Sequence, residues 1–130
     1  MTEQAPPSSA LDSDPEYRAA VIDLIAVLAY GELTAFERLA ADAAMAPTID
    51  DKAALAGMAT AEYRHFQVLR DRLVELGVDP QDAMGPFRRA YEDFHAQTAP
   101  SDWLEGLVKA FVGDGIAWAH LDIAGTAWKS

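Results

Sequence analysis

The sequence contains no cysteine, and this absence excludes several classes of site. Disulfide frameworks, thiolate zinc sites, iron–sulfur clusters and cysteine nucleophiles all require thiols. Any metal that the chain binds must therefore accept oxygen and nitrogen ligands. Cationic residues are also scarce, because 10 Lys+Arg stand against 21 Asp+Glu and give a formal net charge of −11 at pH 7. This balance disfavours a broad basic face for non-specific binding to nucleic acids or anionic lipids.

Long hydrophobic runs are also missing. The longest apolar stretch, from Ala19 to Tyr30, is interrupted by Asp23, and the N-terminus lacks the cationic region and apolar core of a signal peptide. We therefore expect a cytoplasmic protein with no membrane partner. The chain has 130 residues, of which 51% are hydrophobic, and this is enough for one domain with a hydrophobic core.

The chain divides into a tail and one helical domain. Residues 1–14 are rich in proline, serine and acids, so we expect a disordered tail. From residue 15 to residue 130 we expect a single all-α domain, because apolar residues recur at helical steps and no strand-like alternation occurs. The periodicity predicts a helix over about residues 15–45. A second helix is predicted from the capping residue Thr48 to Gly77.

The second half of the chain is less regular. Gly85-Pro86 is predicted to break the segment over residues 80–100, leaving a short crossover helix around Tyr91. A further helix is predicted after Pro100, where Asp102 and Glu105 have the spacing of a capping box. The sequence therefore predicts three long or medium helices and one short crossover helix.

Polar residues interrupt the apolar stripes of these helices. Glu62 and His65 lie on the inward stripe of the second helix, three residues apart, so their side chains should lie side by side. Glu32 lies on the corresponding stripe of the first helix. Glu32 and Glu62 are equally distant in sequence from Pro47, and an antiparallel helix pair joined by a tight turn brings such residues together. We expect both carboxylates to face each other.

A metal ion would explain this arrangement. Burying two carboxylates and an imidazole costs several kcal/mol per ion unless a cation compensates, and the stripes hold no lysine or arginine nearby. Asp114, on the inward stripe of the last helix, is a fourth candidate ligand. One alternative stays open, in which Glu32, Glu62 and His65 form a metal-free polar network in a non-enzymatic module that binds a partner helix.

The same residues carry a resemblance to a known family. Three segments are involved: Gly31-Glu32, Glu62-Tyr63-Arg64-His65 and Gly113-Asp114-Gly115. They resemble the ligand helices of the ferritin-like di-iron carboxylate superfamily. Within that superfamily, residues 15–117 are similar to bacterial ferritin-like proteins related to the tRNA methylthio-isopentenyladenosine hydroxylases.

The resemblance implies an antiparallel helical bundle whose di-iron centre activates dioxygen to hydroxylate a modified tRNA base. Glu32 and the Glu62/His65 pair would bind one iron, with Glu62 bridging, and Asp114 would serve the second. Manganese also suits such carboxylate-rich sites. A wall of apolar side chains would exclude water from the centre. These side chains are Leu28, Phe36, Met58 and Phe111.

The sequence departs from the family pattern in its last part. A second acidic-x-x-His pair on a last ligand helix is not found after Asp114, so we expect an incomplete bundle, truncated after about residue 117. A second copy of the chain would then cover the exposed seam as a homodimer. The substrate would be a tRNA or a small molecule, and the sequence leaves open whether the chain alone is an enzyme.

Overall fold

The computed structural model describes residues 7–112 of the chain, with side chains from Ala10 onward. The described residues form five helices and contain no strand, so the all-α prediction is confirmed. The helices are α1 (Pro7–Ser13), α2 (Pro15–Ala43), α3 (Ile49–Glu75), α4 (Pro80–Gln97) and α5 (residues 103–112).

The prediction of a disordered tail over residues 1–14 is wrong for Pro7–Ser13, which form α1. This helix is stable because it packs on α2 and buries Leu11, which is 5% exposed. Asp14 then serves as the N-cap of α2, and its carboxylate accepts hydrogen bonds from two backbone N–H groups of the first turn. Residues 1–6 lie outside the described part of the chain.

Helices α2 and α3 form an antiparallel pair, with bounds close to the predicted ones. At one end, Arg18 donates a hydrogen bond to the carbonyl of Leu76. At the other end, beside the turn that contains Pro47, Lys52 Nζ donates to the carbonyl of Ala43 at 3.1 Å. Gly77 ends the pair by adopting a φ of 81°, which residues with a Cβ rarely adopt.

The core lies mainly between α2 and α3. One group of buried residues surrounds the half of the pair near the turn, and a second group surrounds the other half. The first group is Leu39, Ala43, Leu55 and Ala59, and the second is Ala29, Phe66 and Leu69. Leu73, further along α3, is 0% exposed. Burial of these side chains supplies the main stabilisation of the pair.

Helix α4 is a single helix from Pro80 to Gln97, so the predicted break at Gly85-Pro86 is wrong. Proline fixes φ at a helical value, and the backbone bond that it removes falls on an exposed part of the helix, where water can replace it. No residue of α4 is fully buried. The helix is held against α2 chiefly by partly buried side chains such as Tyr91.

Helix α5 begins with the predicted capping residues. The Asp102 carboxylate accepts from the Glu105 N–H at 2.8 Å, and the Glu105 carboxylate accepts from the Ser101 N–H at 2.7 Å. Gly106 lies against the buried Asp42 of α2, and a Cβ at this glycine would lie only 3.0 Å from Asp42 Cγ. The absence of a side chain at residue 106 therefore allows α5 to approach α2 closely.

Among the described helices, α2 alone is long and apolar enough, by length and composition, to cross a membrane. The core helix of a water-exposed bundle meets the same criterion. Helix α2 contacts α1, α3 and α4 and carries the buried side chains of Glu32 and Asp42.

Candidate metal centre

Glu32 lies near the middle of α2 and its side chain is buried between the helices, with 7% of the residue exposed. Its position follows from the sequence, because Ala29 and Leu39 lie on the same side of α2 and pack into the two core groups. The carboxylate is therefore directed at α3 by the same periodicity that buries its apolar neighbours.

Glu62 and His65 lie on α3 opposite Glu32. The distance from His65 Nδ1 to Glu32 Oε2 is 3.6 Å, and the distance from His65 Nδ1 to Glu62 Oε2 is 3.8 Å. One ligand atom from each of the three side chains lies within 4.8 Å of the others. The prediction that these residues converge is thus confirmed.

The geometry and the donor set both fit a metal ion. Ligand atoms bound at about 2.0–2.2 Å from one ion lie within about 4.4 Å of each other, so small side-chain shifts would close the group around an ion. Two carboxylates and one imidazole are the donors that first-row metals such as iron and manganese accept. The side chains of Glu62 and His65 each retain 15% exposure, which leaves a path for an ion.

Tyr91 of α4 lies next to this group of residues. The sequence pattern did not predict its position there. Its hydroxyl donates to the carbonyl of Val27 at 3.1 Å, and a Cβ at Gly31 would lie 2.7 Å from the Tyr91 hydroxyl oxygen. Burial raises the pKa of Tyr91, and the charge of Glu32 raises it further. Gly31, directly before Glu32 on a helix, was the available signal for such a close approach.

The predicted apolar wall is only half correct. Leu28 and Phe36 are partly buried and pack against the core groups near Glu32. Met58 is 46% exposed and Phe111 is 81% exposed, so neither forms a wall in the described structure. Met58 is displaced by one residue, or about 100°, from Ala59, which faces the core.

Asp114, the fourth predicted ligand, lies outside the described residues, so its role stays a prediction. The part of the predicted last helix after residue 112 lies outside them as well.

A second segment of the chain has the same Glu-x-x-His spacing. Glu92 and His95 lie three residues apart on α4, but Arg88 Nε contacts Glu92 Oε1 at 2.7 Å and Lys109 Nζ lies 2.8 Å from His95 Nδ1. Within the described residues, the group that could hold a metal consists of Glu32, Glu62 and His65. The α4 pair is engaged by cations instead.

Comparison with known proteins identifies a family that the chain resembles over most of its length. A family model for a ferritin-like domain of actinomycetes matches residues 15–124. A stretch of 19 residues, 15% of the chain, is 89% identical to part of a probable cytosol aminopeptidase from Parasynechococcus marenigrum (strain WH8102). The chain covers 4% of that protein, and a match of this length does not show a shared family.

Proposed function

Because the chain belongs to the family of ferritin-like domains of actinomycetes, we propose that Glu32, Glu62 and His65 bind iron in a centre related to those of di-iron oxygenases. The observation that carries this proposal is the convergence of three ligand atoms from two helices within 4.8 Å. Ferritin-like bundles build their metal sites from inward glutamates and Glu-x-x-His pairs on facing helices, which is the pattern of these three residues.

Each residue has a defined part in the proposed centre. Glu32 and Glu62 would neutralise the charge of the cation, and His65 would add a neutral nitrogen ligand. Leu28 and Phe36 would limit access of water on the α2 side. Iron held there would supply oxidation by dioxygen, and hydroxylation of an organic substrate is the reaction class that the family resemblance favours. Manganese is the second choice for the same ligands.

A complete di-iron centre would need further ligands. Asp114 is our candidate for the second iron, as the resemblance implies. We also propose that a second copy of the chain completes the bundle in place of a last ligand helix. Helix α5 supports a partner-binding role, because Leu104 is 67% exposed and Phe111 is 81% exposed on its surface.

A small molecule is a better candidate substrate than a tRNA. Phosphate recognition needs cationic side chains, but several arginines of the described surface are paired with neighbouring acids. These pairs are Arg70 with Asp71, Arg72 with Glu75, Arg88 with Glu92 and Arg89 with Asp93. We also propose that the protein is cytoplasmic. Helix α2 would then be the core helix of the bundle and would not span a membrane.

The metal content of purified protein tests the proposal. After anaerobic reconstitution with ferrous iron and desalting, the wild type should retain about one or two irons per chain. Glu62→Ala combined with His65→Ala should retain none, because two of the three converging ligands are lost. Glu92→Ala combined with His95→Ala is the matched control, since it removes the same residue types from α4, and it should retain the wild-type amount.

Two outcomes would contradict the proposal: wild-type protein without bound iron, or equal iron in the two double variants. A folded, iron-free wild type whose melting temperature ignores added iron would support the second candidate function. In that case Glu32, Glu62 and His65 form a polar network, and the exposed face of α5 binds a partner helix.

A further inference from the structure

A groove of about 1160 Å³ lies between α2 and α4, and Arg70 of α3 also lines it. We call it the α2–α4 groove. Tyr30, Thr34 and Arg38 line it from α2, and His95 lines it from α4. Its volume is slightly above the range of about 300–1,000 Å³ that is typical of pockets for small molecules.

Lys109 of α5 approaches the groove at His95. The Lys109 ammonium lies 2.8 Å from His95 Nδ1 and donates a hydrogen bond to it. Since the ammonium group has no acceptor, Nδ1 must be unprotonated, and the neutral ring carries its proton on Nε2. The ammonium also lies 5.4 Å from the centre of the Phe94 ring. Helices α2, α4 and α5 thus bring Arg38, His95 and Lys109 together.

Cationic side chains act on the His95 ring, although four acidic residues also line the α2–α4 groove. The pKa of His95 is lowered to about 4 by burial and by the charges of Lys109 and Arg38. Burial and Arg38 lower the pKa of Lys109, while Asp42 opposes that change. Two cations therefore act on His95 and one buried acid partly compensates them.

Among residues 10–112, whose side chains are described, neither Arg38 nor Lys109 has a carboxylate oxygen within 4.0 Å. Arg88, which also lines the groove, is different, because Glu92 contacts it at 2.7 Å. Arg38 and Lys109 thus keep donors that an anionic group could use.

We propose that Arg38, His95 and Lys109 form a binding site for an oxyanion group, carboxylate or phosphate, of a small molecule in the α2–α4 groove. Arginine and lysine supply charge-assisted hydrogen bonds, and the Nε2–H of His95 adds a donor. The bound anion relieves the mutual repulsion of the two cations. This site does not depend on the metal centre, which uses other residues on α2 and α3.

Inorganic phosphate and succinate are the probes, titrated separately by calorimetry at constant ionic strength. The protein is first treated with a chelator, so that binding of phosphate to iron does not contribute. Arg38→Gln and Lys109→Gln should each weaken binding about tenfold or more, since each removes a charge-assisted hydrogen bond. Arg89→Gln is the matched control, because the Arg89 side chain is 92% exposed on α4, and it should change the Kd less than about twofold.

A second readout follows the His95 ring by NMR. In the wild type, a saturating probe should raise the pKa of His95 from about 4, because the anion offsets Lys109 and Arg38. Circular dichroism checks that each variant is folded, and either of the two site variants is sufficient for the test. The proposal is overturned if neither probe binds, if all three variants bind alike, or if His95 does not respond. Preference for one probe identifies the anionic group.

Discussion

Two segments of this chain share the Glu-x-x-His spacing but differ in their surroundings. On α3, the side chains of Glu62 and His65 are each 15% exposed and face a third candidate ligand, Glu32. On α4, the Glu92 side chain is 54% exposed and pairs with Arg88, while His95 contacts Lys109. The same two residue types therefore form a candidate metal centre in one helix and part of a cationic cluster in the other.

The difference shows what makes the spacing useful for binding a metal. Three residues on one helix place two side chains together, but a neighbouring helix must supply an anion and not a cation. Helix α3 obtains its third group from the tightly packed α2. Helix α4 has no fully buried residue, its own Arg88 pairs with Glu92, and the neighbouring α5 supplies Lys109 to His95.

The largest expected difference between α3 and α4 is in the free energy of unfolding that packing of their side chains contributes. Leu73→Ala should lower the free energy of unfolding by about 2–5 kcal/mol, because Leu73 is fully buried in α3 and its loss leaves a cavity. Phe94→Ala on α4 should cost less than about 1 kcal/mol, since Phe94 is 52% exposed. Urea denaturation measures both. Equal losses would show that α4 belongs to the same core as α3.

The next prediction concerns Glu32, the candidate metal ligand on α2. At a metal concentration of 100 Kd, binding stabilises the wild type by about 2.7 kcal/mol. Glu32→Gln should reduce this gain to about 0.4 kcal/mol if the affinity falls a hundredfold, because a neutral amide replaces a ligating carboxylate. Glu37→Gln removes the same charge from an exposed position of α2 and should keep the full gain. Denaturation with and without ferrous iron measures the gain, and identical behaviour of both variants would refute the role of Glu32.

Gly31→Ala tests the contact between α2, beside the candidate metal centre, and Tyr91 of α4. The new methyl would meet the Tyr91 hydroxyl at 2.7 Å, and such overpacking costs about 1–3 kcal/mol. Gly57→Ala on α3 is the control, because nothing lies within 4 Å of its new methyl, and the better helix propensity should stabilise the protein by about 0.5–1 kcal/mol. Thermal and urea unfolding compare the two variants. A stabilising Gly31→Ala would mean that Tyr91 moves away without cost.

The smallest effect concerns pH. The pKa of His95 falls from 6.5 to about 4 on folding. At a pH between these two values, the unfolded chain therefore binds a proton at His95 that the folded protein does not bind. The corresponding stability is present above pH 6.5 and is lost as the pH falls toward 4. His95→Gln should remove about 1 kcal/mol of this pH dependence, a value reduced for the partial exposure of the ring. Urea midpoints from pH 4 to pH 7 measure the difference, and parallel curves would contradict it.

The convergence of Glu32, Glu62 and His65 was predictable because its determinants are local. The distances of Glu32 and Glu62 from Pro47 and the periodicity of α2 and α3 are properties of the sequence, and a tight turn converts them into a facing pair. The ends of α2 and α3 were predictable for the same reason, since capping residues and Gly77 mark them directly.

The other features depend on how the later helices pack. Exposure of Met58 depends on which flank of α3 a third helix covers, and helical periodicity does not specify this. The predicted break at Gly85-Pro86 is absent because water can reach the carbonyl that Pro86 leaves without a partner, and the local sequence does not specify that exposure. The pairing of His95 with Lys109 joins α4 to α5, and no spacing rule connects residues on separate helices without a known register. Asp114 stays a prediction because it lies outside the described residues.

Glu32 on α2 and Glu62 on α3 are equally far in sequence from the turn that joins the two helices. This restricts where residues can be inserted in the domain. Inserting one residue in α2 between Glu32 and the turn would rotate the carboxylate by about 100° and shift it by about 1.5 Å. Insertions within the turn itself would leave both ligands in place, because packing between the helices sets their alignment. Length differences among related domains should therefore occur at the hairpin tip, and within the helices only as matched insertions of whole heptads in both α2 and α3.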